Sequence, residues 1–301
     1  MTSPRITTSM ISRNVLADLN DVSARMSETQ RKMATGKELT RPSDDPFAVG
    51  RALALRTELE GVGQYRRNAA EAEGWTAASD TALGAVTDIA QRARELLLRG
   101  ANGTASSSQR AAIAEEIDQL VDAAKQDANA THAGRSLFAG TATDVKPYNM
   151  ASDAYAGDGG DIARSIGPGV SVVVNVRGSD TLGNGADGKL LNVLRDIAAH
   201  LRGGTPADQA ALTSTDIVAI DRSIDDLLGM RAQIGATANR LSAADDRLAE
   251  LEEGVRGLLS KTEDADMAAT LIDYSTQQAV YQSALRAGAG IVQASLLDFL
   301  R

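Results

Sequence analysis

The sequence predicts a mainly α-helical protein with a small β insert, in which helices from both chain ends run together as a long antiparallel coiled coil or bundle. Three observations predict it. Only 3 % of the residues are aromatic although 43 % are hydrophobic. The core must therefore be built from Leu, Ile, Val, Met and Ala, which suit close helix–helix packing. Apolar residues near both ends recur at alternating spacings of four and three, the period that keeps one narrow stripe turned towards a partner helix. Between the helical arms, residues 140–182 are rich in Gly and Asp and hold a cluster of valines.

In the N-terminal arm the stripe is Val15, Leu19, Val22, Met26, Thr29 and Met33, with Arg13, Asp18, Asp21, Arg25, Glu28, Arg31 and Lys32 around it. A stripe this thin makes a marginal helix in water, so it needs a partner. Gly36 can take the left-handed conformation that ends a helix. In Arg41-Pro42-Ser43-Asp44-Asp45-Pro46, Asp45 is pushed out of the helical region by the proline after it, the backbone state of an N-cap. Pro46 then stands at the first helical position, where its missing N–H costs nothing. The helix it opens is expected to run towards Gly100 with interruptions at Gly61, Gly63 and Gly74, burying Leu83, Val86, Ala90, Ala93 and Leu97. After a turn at Asn102-Gly103-Thr104, Ser106 with Gln109 forms a capping-box pattern. That helix presents Ile113, Ile117, Leu120, Ala124 and Ala128, and folds back as a hairpin.

In the insert, glycines at 157–160 and 167–169 signal turns. Val170, Val172, Val173, Val174 and Val176 make the strongest strand, in one or two hairpins. Helical texture returns with Leu190, Leu191, Leu194, Ile197 and Leu201. Thr205-Pro206 opens another helix. Leu241, Ala244, Leu248, Leu251, Val255 and Leu258 form the next stripe. The last is Leu271, Tyr274, Gln278, Tyr281, Leu285, Gly288, Val292, Ser295 and Phe299. The expected organisation is a coiled-coil segment 1–45, a helical hairpin 46–140, a β-rich domain 141–188, returning helices 189–260, and a second coiled-coil segment 261–301. Two readings of the thin terminal stripes stay open: they pair only with each other, or they order fully when many copies pack together.

The chemistry of an enzyme leaves no trace. A net charge of -9 repels phosphate backbones, so no nucleic-acid partner is expected. There is no cysteine, hence no disulfide or thiolate site. No apolar run reaches membrane-spanning length, and MTSPRITTSMISRNVL lacks the apolar core of a secretory leader, so neither membrane insertion nor a cleaved signal is expected. His132 and His200 lack metal-ligand spacing and read as surface or helix-end residues. Gly61-Val62-Gly63 and Gly183-Asn184-Gly185 lack the remaining glycines of nucleotide loops. Asp158 and Asp161 read as turn residues rather than calcium ligands. Glu263, Asp264 and Asp266 read as an N-cap and first helical turn. Trp75 reads as a packing residue, and the sequons at Asn102 and Asn129 as chance. No catalytic residue, metal or cofactor is expected.

Specific segments carry a resemblance. Ala34-Thr35-Gly36-Lys37 followed by Arg41-Pro42-Ser43-Asp44-Asp45-Pro46 resembles the N-terminal signature of the hook-associated protein 3 family, the hook–filament junction proteins of bacterial flagella. Gly134-Arg135-Ser136-Leu137-Phe138-Ala139-Gly140 is similar to that family's segment before its variable domain. Tyr155-Ala156-Gly157-Asp158-Gly159, the Val-rich strand and Arg177-Gly178 resemble its β insert, with Leu182 where Phe is frequent. Gln277-Gln278, Ala284 and Ser295-Leu296-Leu297-Asp298-Phe299-Leu300 resemble the terminus shared with filament flagellins, the first competing reading; an intracellular coiled-coil scaffold and a secreted enzyme are the others. The resemblance implies a non-catalytic subunit, exported unfolded by the flagellar type III route with the help of an export chaperone. It would assemble outside the cell as a ring of identical copies between hook-associated protein 1 and flagellin. It also implies an inner seam of terminal helices, for which Val15, Leu19, Val22, Met26, Leu285, Val292, Leu296 and Phe299 are the candidates. Gly36, Pro42, Ser43, Asp44, Asp45 and Pro46 form the signature turn.

Overall fold

The computed structural model describes residues 8–299, and the side chains of residues 8, 9, 11, 12 and 290–299 lie outside that description. The elements in chain order are α1 (Thr8–Thr35), α2 (Pro46–Gly100), α3 (Ser107–Ala128), β1 (Thr131–His132), β2 (Arg135–Ser136), β3 (Ala163–Gly167), β4 (Val170–Val173), α4 (Gly178–Thr181), α5 (Leu190–Gly203), α6 (Pro206–Thr213), α7 (Thr215–Glu263) and α8 (Met267–Phe299). They fall into two compact units, residues 62–251 and residues 1–61 with 252–301.

Unit 62–251 is held by a heptad ladder. On α2, Val62, Ala69, Thr76, Leu83, Ala90 and Leu97 are buried at intervals of seven; on α7, Ile220, Leu227, Ile234, Leu241 and Leu248 are buried at the same interval. A repeat of seven keeps one side of each helix on the shared core. The two helices run antiparallel, tied by Arg66 Nε to Asp245 at 3.0 Å, Arg231 Nε to Asp80 at 2.9 Å and Arg94 Nε to Asp221 at 2.5 Å. Half of the α2 positions are Ala or Thr, so the backbones approach closely where large rings would hold them apart. Gly61, Gly63 and Gly74 do not interrupt α2, contrary to the expectation from sequence; at about 1 kcal/mol each, packing outweighs their helix propensity. Leu251, expected on the α7 stripe, is exposed.

α3 and α5 close the core with Ile113, Ile117, Val121 and Ala124 against Leu190, Leu194, Ile197 and Leu201. Leu120 is only half-buried, and Val121 takes the inward place. Ser106 and Gln109 form the expected capping box: Ser106 Oγ accepts from Gln109 N at 3.2 Å, and Gln109 Oε1 from Ser106 N at 2.8 Å. Ser106→Ala is expected to cost about 1 kcal/mol in urea unfolding; an unchanged midpoint would mean that the cap is redundant. Thr205 and Asp208 repeat the device before α6. Trp75 is buried and meets His132 edge to face, with ring centres 6.2 Å apart. His200 lies in the last turn of α5 and binds Asp216 at 2.7 Å.

The insert is one antiparallel hairpin, β3–β4, after the smaller β1–β2 hairpin. Its seating explains why the quoted segments go together. The Phe138 carbonyl accepts from Tyr155 Oη at 2.9 Å and from Gly178 N at 2.8 Å, and Asp158 N donates to Ala139 O at 3.0 Å. Gly140 has φ +70°, and a side chain there would meet the Asp158 backbone oxygen at 2.3 Å, so only glycine fits. Asp158 is occupied by protein donors, accepting from Gly160 N in its own turn at 3.0 Å and from Thr141 N beside Gly140 at 2.6 Å. Leu182 is fully buried. Below the insert, Lys125 is buried and paired with Asp153, which Arg195 Nε also reaches at 2.9 Å.

Candidate assembly surface

Unit 1–61 with 252–301 contains the candidate seam and the signature turn. α1 packs along α8. On α1, Val22 and Thr29 are buried and Val15, Leu19, Met26 and Met33 half-buried, while Leu16 is exposed. The facing positions on α8 are Thr270, Tyr274, Gln277, Tyr281, Ala284 and Gly288, the buried and half-buried residues at four-three spacing. Thr29 Oγ1 donates to Gln277 Oε1 at 3.1 Å, and a Cβ on Gly288 would lie 3.1 Å from Val15. The contact on the α8 side is therefore made of small and polar residues with two tyrosines and no aliphatic larger than Ala.

This corrects the sequence reading by one position on alternate turns. Tyr274, Tyr281 and Gly288 face α1 as expected, but Leu271, Gln278 and Leu285 do not. Leu271 is 55 % and Leu285 45 % exposed, and Thr270, Gln277 and Ala284 stand in their places. The pattern was ambiguous because α8 carries large apolar residues away from the α1 contact as well: Leu271, Ile272, Val280 and Leu285 are all left exposed. Val292, Leu296 and Phe299, the other expected seam residues, have side chains outside the described residues.

The turn behaves as its residues dictate. Gly36 ends α1 with φ +68° and donates from N to Lys32 O at 2.8 Å. Asp44 Oδ2 accepts from Thr40 N and Arg41 N at 3.2 and 2.7 Å, drawing Thr40-Arg41-Pro42-Ser43-Asp44 into a loop. Asp45 Oδ1 accepts from Phe47 N and Ala48 N at 2.9 and 3.0 Å, and Pro46 opens α2. The loop is bound to the α7–α8 junction by two strand-like bonds, Glu38 N to Glu263 O at 2.7 Å and Ala265 N to Gly36 O at 2.9 Å.

Sequence reasoning missed Glu263. It is not in a first helical turn but is the last residue of α7, buried and clamped by Lys37 and Arg56. Burial pushes its carboxyl pKa up, yet the hydrogen bonds and charges of Lys37 and Arg56 outweigh this and hold it below the ordinary value. Only Asp266 caps α8, accepting from Ala268 N and Ala269 N at 2.9 and 3.1 Å. The signal was present in the cations Lys37 and Arg56, but nothing local pairs residues this distant in sequence. Among the described residues no helix is long and apolar enough to cross a membrane, and no cluster of His, Asp or Glu could hold a metal ion.

Residues 6–143 match the bacterial flagellin N-terminal helical region and residues 217–300 the bacterial flagellin C-terminal helical region. These are the two arms that pair in the fold. The chain belongs to the flagellin-like superfamily. Within it, the chain is 28 % identical over 304 residues to flagellar hook-associated protein 3 of Escherichia coli K12, covering 94 % of this flagellin-like chain and 95 % of that protein. It is 26 % identical over 280 residues to flagellin FlaB2 of Treponema pallidum, covering 90 % of each. Among solved structures, a putative flagellar hook-associated protein from Vibrio parahaemolyticus superposes with a TM-score of 0.66 at 28 % identity, over 73 % of this chain and all of that one.

Proposed function

We propose that this flagellin-like chain is a structural subunit of the bacterial flagellum at the junction of hook and filament. The observation that carries the reading is the end-to-end likeness to hook-associated protein 3, with both helical arms and the insert aligned. The proline-flanked turn of residues 42–46 supports it over filament flagellin, which usually lacks that pattern there. In this reading the subunit leaves the cell unfolded through the flagellar export channel, delivered by a chaperone and keeping its N-terminus. It then forms a ring of identical copies between hook-associated protein 1 below and flagellin above. It performs no catalysis. The α1–α8 seam of Val15, Leu19, Val22 and Met26 lies inward, and the apolar face of α8 that includes Leu285 meets neighbouring copies, as do Val292, Leu296 and Phe299. Apolar burial at roughly 25 cal/mol per Å² then accumulates over many weak contacts.

Deleting the gene and imaging the cells tests this directly. The expected result is hooks without filaments and flagellin released into the medium. Filaments of normal length on the deletion strain would overturn the junction reading. Finding the protein along the whole filament would replace it with the flagellin reading.

A further inference from the structure

The described surface of the unit formed by residues 1–61 and 252–301 carries an exposed ring and an apolar hollow that do not fill each other. Phe47, in the first turn of α2, is 92 % exposed. The hollow, of about 430 Å³, is walled by Leu39, Pro42, Val49, Ala52 and Leu53, and Phe47 is not part of its lining. Its rim is cationic, with Lys37, Arg41 and Arg56 against one carboxylate, Glu263. The ring is preceded by two acids, Asp44 and Asp45.

We propose that Phe47 of one copy seats in the hollow of a neighbouring copy, with Asp44 and Asp45 of the first facing the Lys37, Arg41 and Arg56 rim of the second. The inference rests on the assembly reading above and names the contact between copies. Charge selects the occupant. Copies carrying a net charge of -9 repel one another in general, and here an acidic knob meets a cationic rim. The knob suits the hollow in kind as well, because a seated Phe removes about 150–250 Å² from water. That area is far below a standard interface of about 1,600 Å². The contact therefore sets the register of copies already held by their helical seams, in the manner of an aromatic hot spot. It runs one way: the copy that receives a ring keeps its own ring for the next, which builds a closed ring or an open helix.

The absence of cysteine in the natural chain makes the test specific. Cells are made to express two full-length variants together, Phe47→Cys and Leu53→Cys, and their sheared flagella are treated with a short bis-maleimide. The expected product is a dimer from mixed cells and none from cells with either variant alone. In parallel, Phe47→Asp is expected to reduce the protein on sheared flagella about tenfold or more, and Phe47→Leu by no more than about threefold. Circular dichroism of the purified variants is expected to match the unmodified protein, since the ring touches little of its own chain. Both cysteine variants present on flagella without a dimer would overturn this contact alone, as would wild-type attachment of Phe47→Asp. A cross-link from Phe47→Cys to a different flagellar protein overturns it too. Absence of the unmodified protein from flagella overturns the assembly reading, and this contact with it.

Discussion

Asp153→Ala is expected to destabilise the unit formed by residues 62–251 by about 3 kcal/mol, because it strands a buried ammonium. The Lys125 side chain is 1 % exposed, and among the described residues it reaches beyond Asp153 only the Met150 carbonyl at 3.5 Å. The partner it loses also holds Arg195, which ties α5 to α3 through Asp118 at 2.5 Å. Urea unfolding of the purified chain reads the loss. Adding Lys125→Met to Asp153→Ala is expected to recover most of it, since no buried charge then remains. A single Asp153→Ala variant within about 0.5 kcal/mol of the natural protein would show that Lys125 finds water or a new partner. The pair also sets an acid limb. Burial raises the Asp153 pKa, but hydrogen bonds and charge from Arg195 and Lys125 outweigh it, and the net value lies below the ordinary 3.8. A depressed carboxylate contributes fully above its unfolded pKa and loses that contribution as pH falls through the folded one. Stability should therefore fall with acidification below about pH 4, and less steeply in the double variant.

Leu19→Asp is expected to leave residues 62–251 folded and to remove the protein from flagella. Leu19 lies half-buried on the α1 stripe, one turn before Val22, in the other unit. A carboxylate there must be desolvated each time the seam forms. A deficit of about 1.4 kcal/mol at every contact is a tenfold loss at every contact. Immunodetection on sheared flagella and swimming in soft agar report attachment, while circular dichroism and a thermal melt report the fold. If the variant strain swims normally with normal amounts of protein on its flagella, Leu19 is not part of an assembly seam.

The long elements were legible because each carries its own signal. The α1 stripe, the Asp45-Pro46 start of α2, the Ser106 and Thr205 caps and the valine strand are local statements. The structure reproduces the helix starts and caps, and the valine strand begins at Val170 as expected but ends at Val173, short of Val176. What escaped is what locality cannot encode. The α8 face was misassigned because Thr270, Gln277 and Ala284 are weak hydrophobic signals beside Leu271 and Leu285. Their selection depends on Thr29 meeting Gln277 and on the close approach of Val15 to Gly288. The clamp on Glu263 joins residues from α2, α7 and the connection after α1. The segments that carried the family resemblance were visible as strings, but their cause, the Phe138 carbonyl with its two donors and Gly140 against Asp158, was not.

A ladder with a strict period has many nearly equal alignments. Sliding α7 along α2 by two heptads would again set one buried position against another. The charges forbid it. Along α2 the bridging residues alternate as Arg66, Asp80 and Arg94, and along α7 as Asp245, Arg231 and Asp221. A slip of fourteen residues brings Arg66 towards Arg231, or Asp80 towards Asp245. Like thus meets like, and the mispaired rods repel where the native ones attract. The alternation acts as a vernier on an otherwise uniform scale, and it spares the folding chain a trap in the wrong notch.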